Sequence, residues 1–203
     1  KYIGNCIDSF FKQSNDIVIE VLVVDGLSTD GTVGVIEERQ KRYPNQIKVV
    51  ENRKKKTPFA LNLGIDYAQG KYTLIASAHS SFDPDYLTSI LHQFKTSNAD
   101  IIGGVMETRV LNENSKSLSI VEVLSNKFGV GNSMFRVGID KPTEVDTLPF
   151  GVYKTELLKS IGGYDTRLIR NHDIEMSKRI LALGYKILLV PIIEYLFPDL
   201  LTK

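Results

Sequence analysis

Four short apolar runs, the first three each leading through a turn into a helical stretch, constrain this chain more than any other feature. Val18 to Val24 is apolar apart from Glu20, and it ends on Asp25-Gly26-Leu27-Ser28-Thr29-Asp30-Gly31-Thr32, where Ser28 or Asp30 can cap a helix reaching about Tyr43. Ile47 to Val50 is followed by a helix over Pro58 to Ala68 closed by Gly70, and Tyr72 to Ala76 by one over Pro84 to Lys95 with Asp83 as its cap. Asp100 to Val105 is the fourth run. A nearly continuous apolar strand is one buried on both faces, and strands alternating with helices predict an α/β fold with a mostly parallel central sheet and helices on both faces.

The rhythm changes after Glu107. Residues 108–143 are rich in Asn, Ser and Gly, among them Asn112, and show helical spacing only from Leu118 to Phe128. Beyond them the pattern predicts a strand over Val145 to Tyr153, a helix over Thr155 to Ile161 ended by Gly162-Gly163, a helix over Asp173 to Leu183 ended by Gly184, and a strand over Lys186 to Pro191. One domain over residues 1–203 is expected: a nucleotide-type half, 1–105, and a half, 106–203, that shapes a second pocket. Lys1 to Gln13 already has helical spacing (Ile3, Cys6, Ile7, Phe10, Phe11), and the tail from Glu194 to Lys203 follows an apolar stretch. A sheet of this kind starts with a strand, so both ends are expected to be truncated, the first strand with them.

Bulk chemistry narrows the partners. With 25 basic and 24 acidic residues the net charge is +1, which gives no electrostatic case for a nucleic-acid partner. The single Cys6 cannot form an internal disulfide, which fits a reducing compartment. No apolar run approaches the roughly 20 residues of a membrane helix. Membrane association is left to segments outside these residues.

Five places carry side chains suited to chemistry. Asp25, at the end of an apolar strand, can accept hydrogen bonds from a ribose or base, or it can organise the turn with Ser28 and Asp30. Arg53-Lys54-Lys55-Lys56 precede a helix start, a combination that suits a diphosphate, or simply a solvated surface. Asn62, one turn after Pro58, points to the same crevice or to an ordinary polar face. The strand over Tyr72 to Ala76 stops at the small triplet Ser77-Ala78-His79, placing an imidazole where open α/β sheets build their sites. His79 can ligate manganese or zinc, or it can be a loop histidine bonded to backbone. In Asn171-His172-Asp173-Ile174-Glu175 the carboxylates either favour the helix dipole or supply a general base.

The set Val-Val-Asp25-Gly-x-Ser28-x-Asp30-Gly-Thr32, Ala60-x-Asn62-x-Gly64, Ala68-x-Gly70 and the Ser77-Ala78-His79 strand end resembles the inverting family 2 glycosyltransferases of the GT-A fold. Gly151, Gly162-Gly163-Tyr164-Asp165 and Asn171-x-Asp173-x-Glu175 resemble that family's acceptor half. The triplet, with Ser77 in place of the Asp of an Asp-Ala-His form, Phe128-Gly-Val-Gly131 and Val145-Asp146-Thr147 are most similar to bacterial succinoglycan-type exopolysaccharide enzymes.

The resemblance implies a UDP-linked sugar donor bound by Asp25, Lys56, Asn62, Ser77 and Ala78, with a divalent cation, Mn2+ or Mg2+, on His79. It implies Asp173 as the base that deprotonates a glycan or lipid-linked acceptor as it attacks the anomeric carbon. It further implies a cytoplasmic enzyme at the inner face of the plasma membrane. Gly26 and Ser77 replace acidic residues of the family pattern, His172 stands where a Glu precedes the base, and the family's first strand is absent. These departures carry a second expectation, a non-catalytic nucleotide-sugar-binding relative. A dinucleotide-binding oxidoreductase is disfavoured because no Gly-x-Gly-x-x-Gly follows any strand.

Overall fold

Strands and helices follow one another as the patterning requires in a computed structural model that describes residues 2–110, 114–131 and 133–197. Lys1, Asn112 and the tail beyond Phe197 lie outside the described residues. The first half runs α1 (Ile3–Phe10), β1 (Val21–Asp25), α2 (Thr32–Arg42), β2 (Ile47–Glu51), α3 (Thr57–Tyr67), β3 (Tyr72–Leu74), β4 (Ser80–Phe82), α4 (Tyr86–Thr96) and β5 (Ile101–Thr108). The second runs α5 (Ser115–Ser125), α6 (Lys127–Val130), α7 (Met134–Val137), β6 (Thr143–Glu144), β7 (Val152–Lys154), α8 (Thr155–Ser160), α9 (His172–Ala182) and β8 (Ile187–Leu196).

The α/β class holds, but the strand directions are mixed. β1 and β2 pair in parallel as a sheet of their own, and the larger sheet has the order β3-β7-β5-β8-β4 with β6 on β8. Within it only β5 and β8 are parallel, while β3–β7, β5–β7, β4–β8 and β6–β8 are antiparallel. The antiparallel partners β4, β6 and β7 are two or three residues long, too short for a period-2 pattern to announce. The strand expected over Val145 to Tyr153 accordingly reduces to β7, and β4 was not anticipated.

Alternate residues of the central strands divide the core into two layers, as the pleat demands. Ile101, Ile187 and Leu189 face Leu157 and Leu158 of α8 and Met176 and Ile180 of α9. Ile102, Leu188 and Val190 face Tyr86 and Ile90 of α4, with Phe10 of α1 beside them. Helices therefore cover both faces, and each fully buried aliphatic side chain contributes about 1.5–3 kcal/mol. β1 is less enclosed than its apolar run predicts. It is half-buried along its length, with β2 as its one strand partner among the described residues. Val21 and Val23 pack on Ile7, Ile36 and Ile47.

The two central strands are joined by a bulge. Their register jumps between Gly104 and Val105, from Val190 to Ile193 on β8, so Pro191 and Ile192 are the extra residues. A proline that cannot donate to a ladder is tolerated there. The N-terminus of α4 is not capped by the Asp83 side chain as expected. Gln13, just after α1, does this work: its Oε1 accepts from Leu87 N at 3.0 Å, and its Nε2 donates to Asp83 O at 2.7 Å. Among the described residues no helix is long and apolar enough to cross a membrane.

Candidate active site

Two predicted site segments come together where β1 and β2 end. Asp25 lies opposite Glu51 in the ladder, and Asn52 N donates to Asp25 O at 2.7 Å, so the chain leaves both strands side by side. A Cβ on Gly26 would sit 3.9 Å from Lys55 Cα, which shows how near the Asp25 turn lies to the cationic loop. Leu27 and Lys55 both have left-handed backbones, φ 65° and 54°. Such conformations cost about 1–3 kcal/mol each outside glycine and cluster at ligand sites.

Asp25 organises the turn that follows β1. Its carboxylate accepts from Ser28 N at 2.9 Å and Ser28 Oγ at 2.5 Å. Burial opposes its ionisation, but the hydrogen bonds from Ser28 and Leu27 outweigh that and hold its pKa below the ordinary carboxylate value. Asp30 accepts from Thr32 N and Oγ1 at 3.2 and 2.6 Å, next to the left-handed Gly31 at the N-cap of α2. Lys56 is the N-cap residue of α3, extended in backbone, with Pro58 inside the first turn. The free N–H groups of that helix start and the neighbouring lysines make an anion-attracting corner.

The triplet leaves β3 beside Gly151, whose carbonyl accepts from Ile75 N at 3.0 Å. Ser77 Oγ accepts from His79 N at 3.2 Å and lies 3.4 Å from His79 Nδ1, so the serine holds the turn that presents the imidazole. Tyr2 packs on the ring at 5.1 Å between centroids, Cys6 Sγ donates to Ser77 O at 3.4 Å, and Phe197 N donates to His79 O at 2.9 Å. Ala78 is exposed at the tip. Among the described residues no three His, Cys, Asp or Glu side chains form a metal-holding group. One imidazole beside one hydroxyl suits a cation that brings most of its coordination with it, as diphosphate oxygens and water.

Asp173 lies in the first turn of α9, which starts from the left-handed Asn171 (φ 58°). Its charge falls on two buried phenols, Tyr153, which was not among the expected site residues, and Tyr164 of the Gly162-Gly163-Tyr164-Asp165 motif. Burial pushes the Tyr153 hydroxyl up to about 12, and Asp173 adds to this, while its hydrogen bond with Tyr164 works against the rise. Tyr164 is likewise raised by burial, then by Tyr153 and Asp173. Tyr153 pairs with Thr73 of β3, so the base candidate and the triplet are organised around one β3–β7 ladder. His172 meets Tyr164 edge-on at 5.7 Å, and its buried Nδ1 has no hydrogen-bond partner. Glu175 forms an ion pair with Arg179 at 2.7 Å, which fixes it to the helix surface.

Asn62 does not face the cationic loop with a spare amide. Its Oδ1 accepts from Tyr164 N at 2.7 Å, and its Nδ2 donates to Tyr164 O at 2.8 Å. For Tyr164 the signal was the Gly162-Gly163-Tyr164-Asp165 motif; Tyr153 stood only at the end of an expected strand, with nothing local to single it out.

Comparison with known proteins points one way. A family model described as Glycosyl transferase family 2 matches residues 1–162. A Methanococcus voltae dolichyl N-acetyl-alpha-D-glucosaminyl phosphate 3-beta-D-2,3-diacetamido-2,3-dideoxy-beta-D-glucuronosyltransferase is 28% identical over 195 residues, covering 92% of this chain and 60% of that protein. The succinoglycan biosynthesis protein ExoA of Rhizobium meliloti is 25% identical over 169 residues, covering 82% of this chain and 50% of that protein. The chain thus spans about half to three-fifths of these relatives. Among solved structures, GalNAc-T7 with UDP, GalNAc and Mn2+ superposes with a TM-score of 0.77 at 13% identity, covering 97% of this chain and 40% of that one. At that identity the likeness is one of fold.

Proposed function

The chain belongs to glycosyl transferase family 2 and has the GT-A fold, and from that premise we propose that the whole protein transfers a sugar with inversion from a UDP-sugar to a glycan or lipid-linked acceptor in the building of a polysaccharide or other glycan. The observation that carries this reading is the meeting of the Asp25 turn with the cationic loop at the start of α3. Asp25 takes the nucleoside, Lys56 and the N–H groups of α3 take the diphosphate, and Ser77 and Ala78 border the sugar. Charge that develops on the leaving diphosphate is met by groups already in place, which is the efficient form of electrostatic catalysis. The names of the two relatives, one acting on a dolichyl phosphate glycan and one in succinoglycan biosynthesis, support the acceptor class. We place the reaction at the cytoplasmic face of the plasma membrane.

Asp173 is the base: its carboxylate takes the acceptor hydroxyl proton as the oxygen attacks the anomeric carbon. His79 is the residue that would hold a divalent cation, with Ser77 holding the turn that presents it, and such a cation would supply charge neutralisation at the diphosphate. In the full-length protein, Asp173→Asn is expected to abolish transfer from a UDP-sugar while UDP still binds. Normal turnover by that variant would refute the base assignment. The second reading, a nucleotide-sugar-binding relative without catalysis, is favoured by Ser77, whose hydroxyl serves the turn and brings no carboxylate. A wild-type protein that binds UDP-sugars and transfers none would establish it.

A further inference from the structure

Asn62 stands on the helix that begins at the diphosphate corner, yet its amide is committed 102 positions away in the chain, to both backbone groups of Tyr164. The pairing depends on the residue before it. Gly163 has φ +66°, and a Cβ there would come 2.5 Å from Asn62 Oδ1, so a side chain at 163 and the clamp exclude each other. From the other side Arg179 of α9 donates to Ile161 O at 2.6 Å and to Gly163 O at 2.9 Å, while Glu175 holds its guanidinium. The loop between α8 and α9 is therefore gripped by a helix of the nucleotide half and by the helix that carries Asp173.

Tyr164 is the buried end of that grip. It is 3% exposed, its hydroxyl bonds with Tyr153, its ring meets His172, and the charge of Asp173 falls on both phenols. We infer that Asn62 is a positioning residue: it fixes Tyr164, and through Tyr164 the first turn of α9 with Asp173, relative to the donor-binding helix α3. The inference rests on Asp173 as base and gives Asn62 a role other than nucleotide contact. Its force comes from geometry, since a misplacement of 1 Å between reacting groups can cost about 100-fold in rate.

The test uses the full-length enzyme and three variants, with UDP affinity measured by calorimetry and kcat measured at saturating donor across pH. Asn62→Ala is expected to lower kcat about 10- to 100-fold and to move the acid limb of the kcat profile, with the UDP Kd within about 2-fold of wild type. Gly163→Ala should reproduce this, because it displaces the same amide. Asn62→Asp keeps the oxygen for Tyr164 N–H and loses the donor, so it should show a smaller change in the same direction even if Asn62→Ala fails to fold. A UDP Kd weakened about tenfold, roughly 1.4 kcal/mol, with kcat unchanged would make Asn62 a donor contact and overturn the inference. An unchanged kcat and pH profile would overturn it as well. Asp173→Asn separates the two readings: turnover retained there with kcat lost in Asn62→Ala removes the base and leaves the clamp, and the opposite result removes the clamp and leaves the base.

Discussion

Ser80 and Glu194, 114 positions apart in sequence, are joined by a hydrogen bond of 2.6 Å in which the Ser80 hydroxyl donates to the carboxyl. The bond links β4 to β8 directly behind the Ser77-Ala78-His79 turn, and Glu194 is 1% exposed. Burial pushes the Glu194 carboxyl up to about 7, with Ser80 opposing the rise. Its charge in turn adds to the burial that lifts the Cys6 thiol to about 12 and raises the Tyr86 hydroxyl.

A raised carboxyl pKa means that the folded protein holds a proton which the unfolded chain releases. Stability should therefore fall as pH rises from about 4.5 to about 7 and level off above that. Glu194→Gln is expected to flatten this fall and to be the more stable form at pH 8 by about 3 kcal/mol. Thermal unfolding measured across pH checks it, and a variant curve parallel to wild type would assign the dependence to another group.

Gly104 sits at the bulge between β5 and β8, where a Cβ would lie 2.4 Å from Ile192 O and 2.8 Å from Tyr86 Cε2. Backbone and a fully buried ring cannot yield, so Gly104→Ala should destabilise by about 3 kcal/mol. Gly34, inside α2 with nothing beyond its chain neighbours and its own helix backbone within 4 Å of an added Cβ, is the contrast. Gly34→Ala should stabilise by about 0.5–1 kcal/mol. Denaturant melts of both variants decide the pair, and equal midpoints would contradict the packing argument.

Gln13 closes the start of α4 from the far side of α1. Removing its amide in Gln13→Ala leaves Leu87 N without its partner at that helix start, at a cost of about 2 kcal/mol. Calorimetric unfolding should show the loss, with UDP affinity unchanged because Gln13 touches none of the donor-binding residues.

His79 offers one ligand and no protein-made cage. Mn2+ alone should therefore leave the melting temperature of the full-length protein unchanged, whereas Mn2+ with UDP should raise it above UDP alone. His79→Ala should lose the metal-dependent part and keep the rest. A UDP shift indifferent to Mn2+ in the wild type would count against His79 as a ligand.

Much of the fold was legible because its signals are local. The apolar runs that became β1, β2, β3, β5 and β8 and the glycines after α8 and α9 place elements within a few residues of where they stand. So are the places of Asp25, Lys56, the triplet and Asp173, since strand ends and helix starts follow from turn chemistry. The short strands β4 and β6 were not legible, and β7 was legible only as the end of a longer expected strand. With two or three residues apiece, they exist only because a long neighbour offers them a ladder.

By itself, then, the sequence determined an α/β chain with a carboxylate, a cationic helix start, an imidazole and a second carboxylate at element ends, because these are properties of neighbours along the chain. Only the tertiary structure decided what those side chains meet. It joined Asn62 to Tyr164, buried Glu194 against Ser80, set two phenols beside Asp173 and mixed the strand directions. The physical reason is the same in each case. A buried polar group must find its partner wherever packing puts one, and partners 102 or 114 positions away leave no mark on the local pattern.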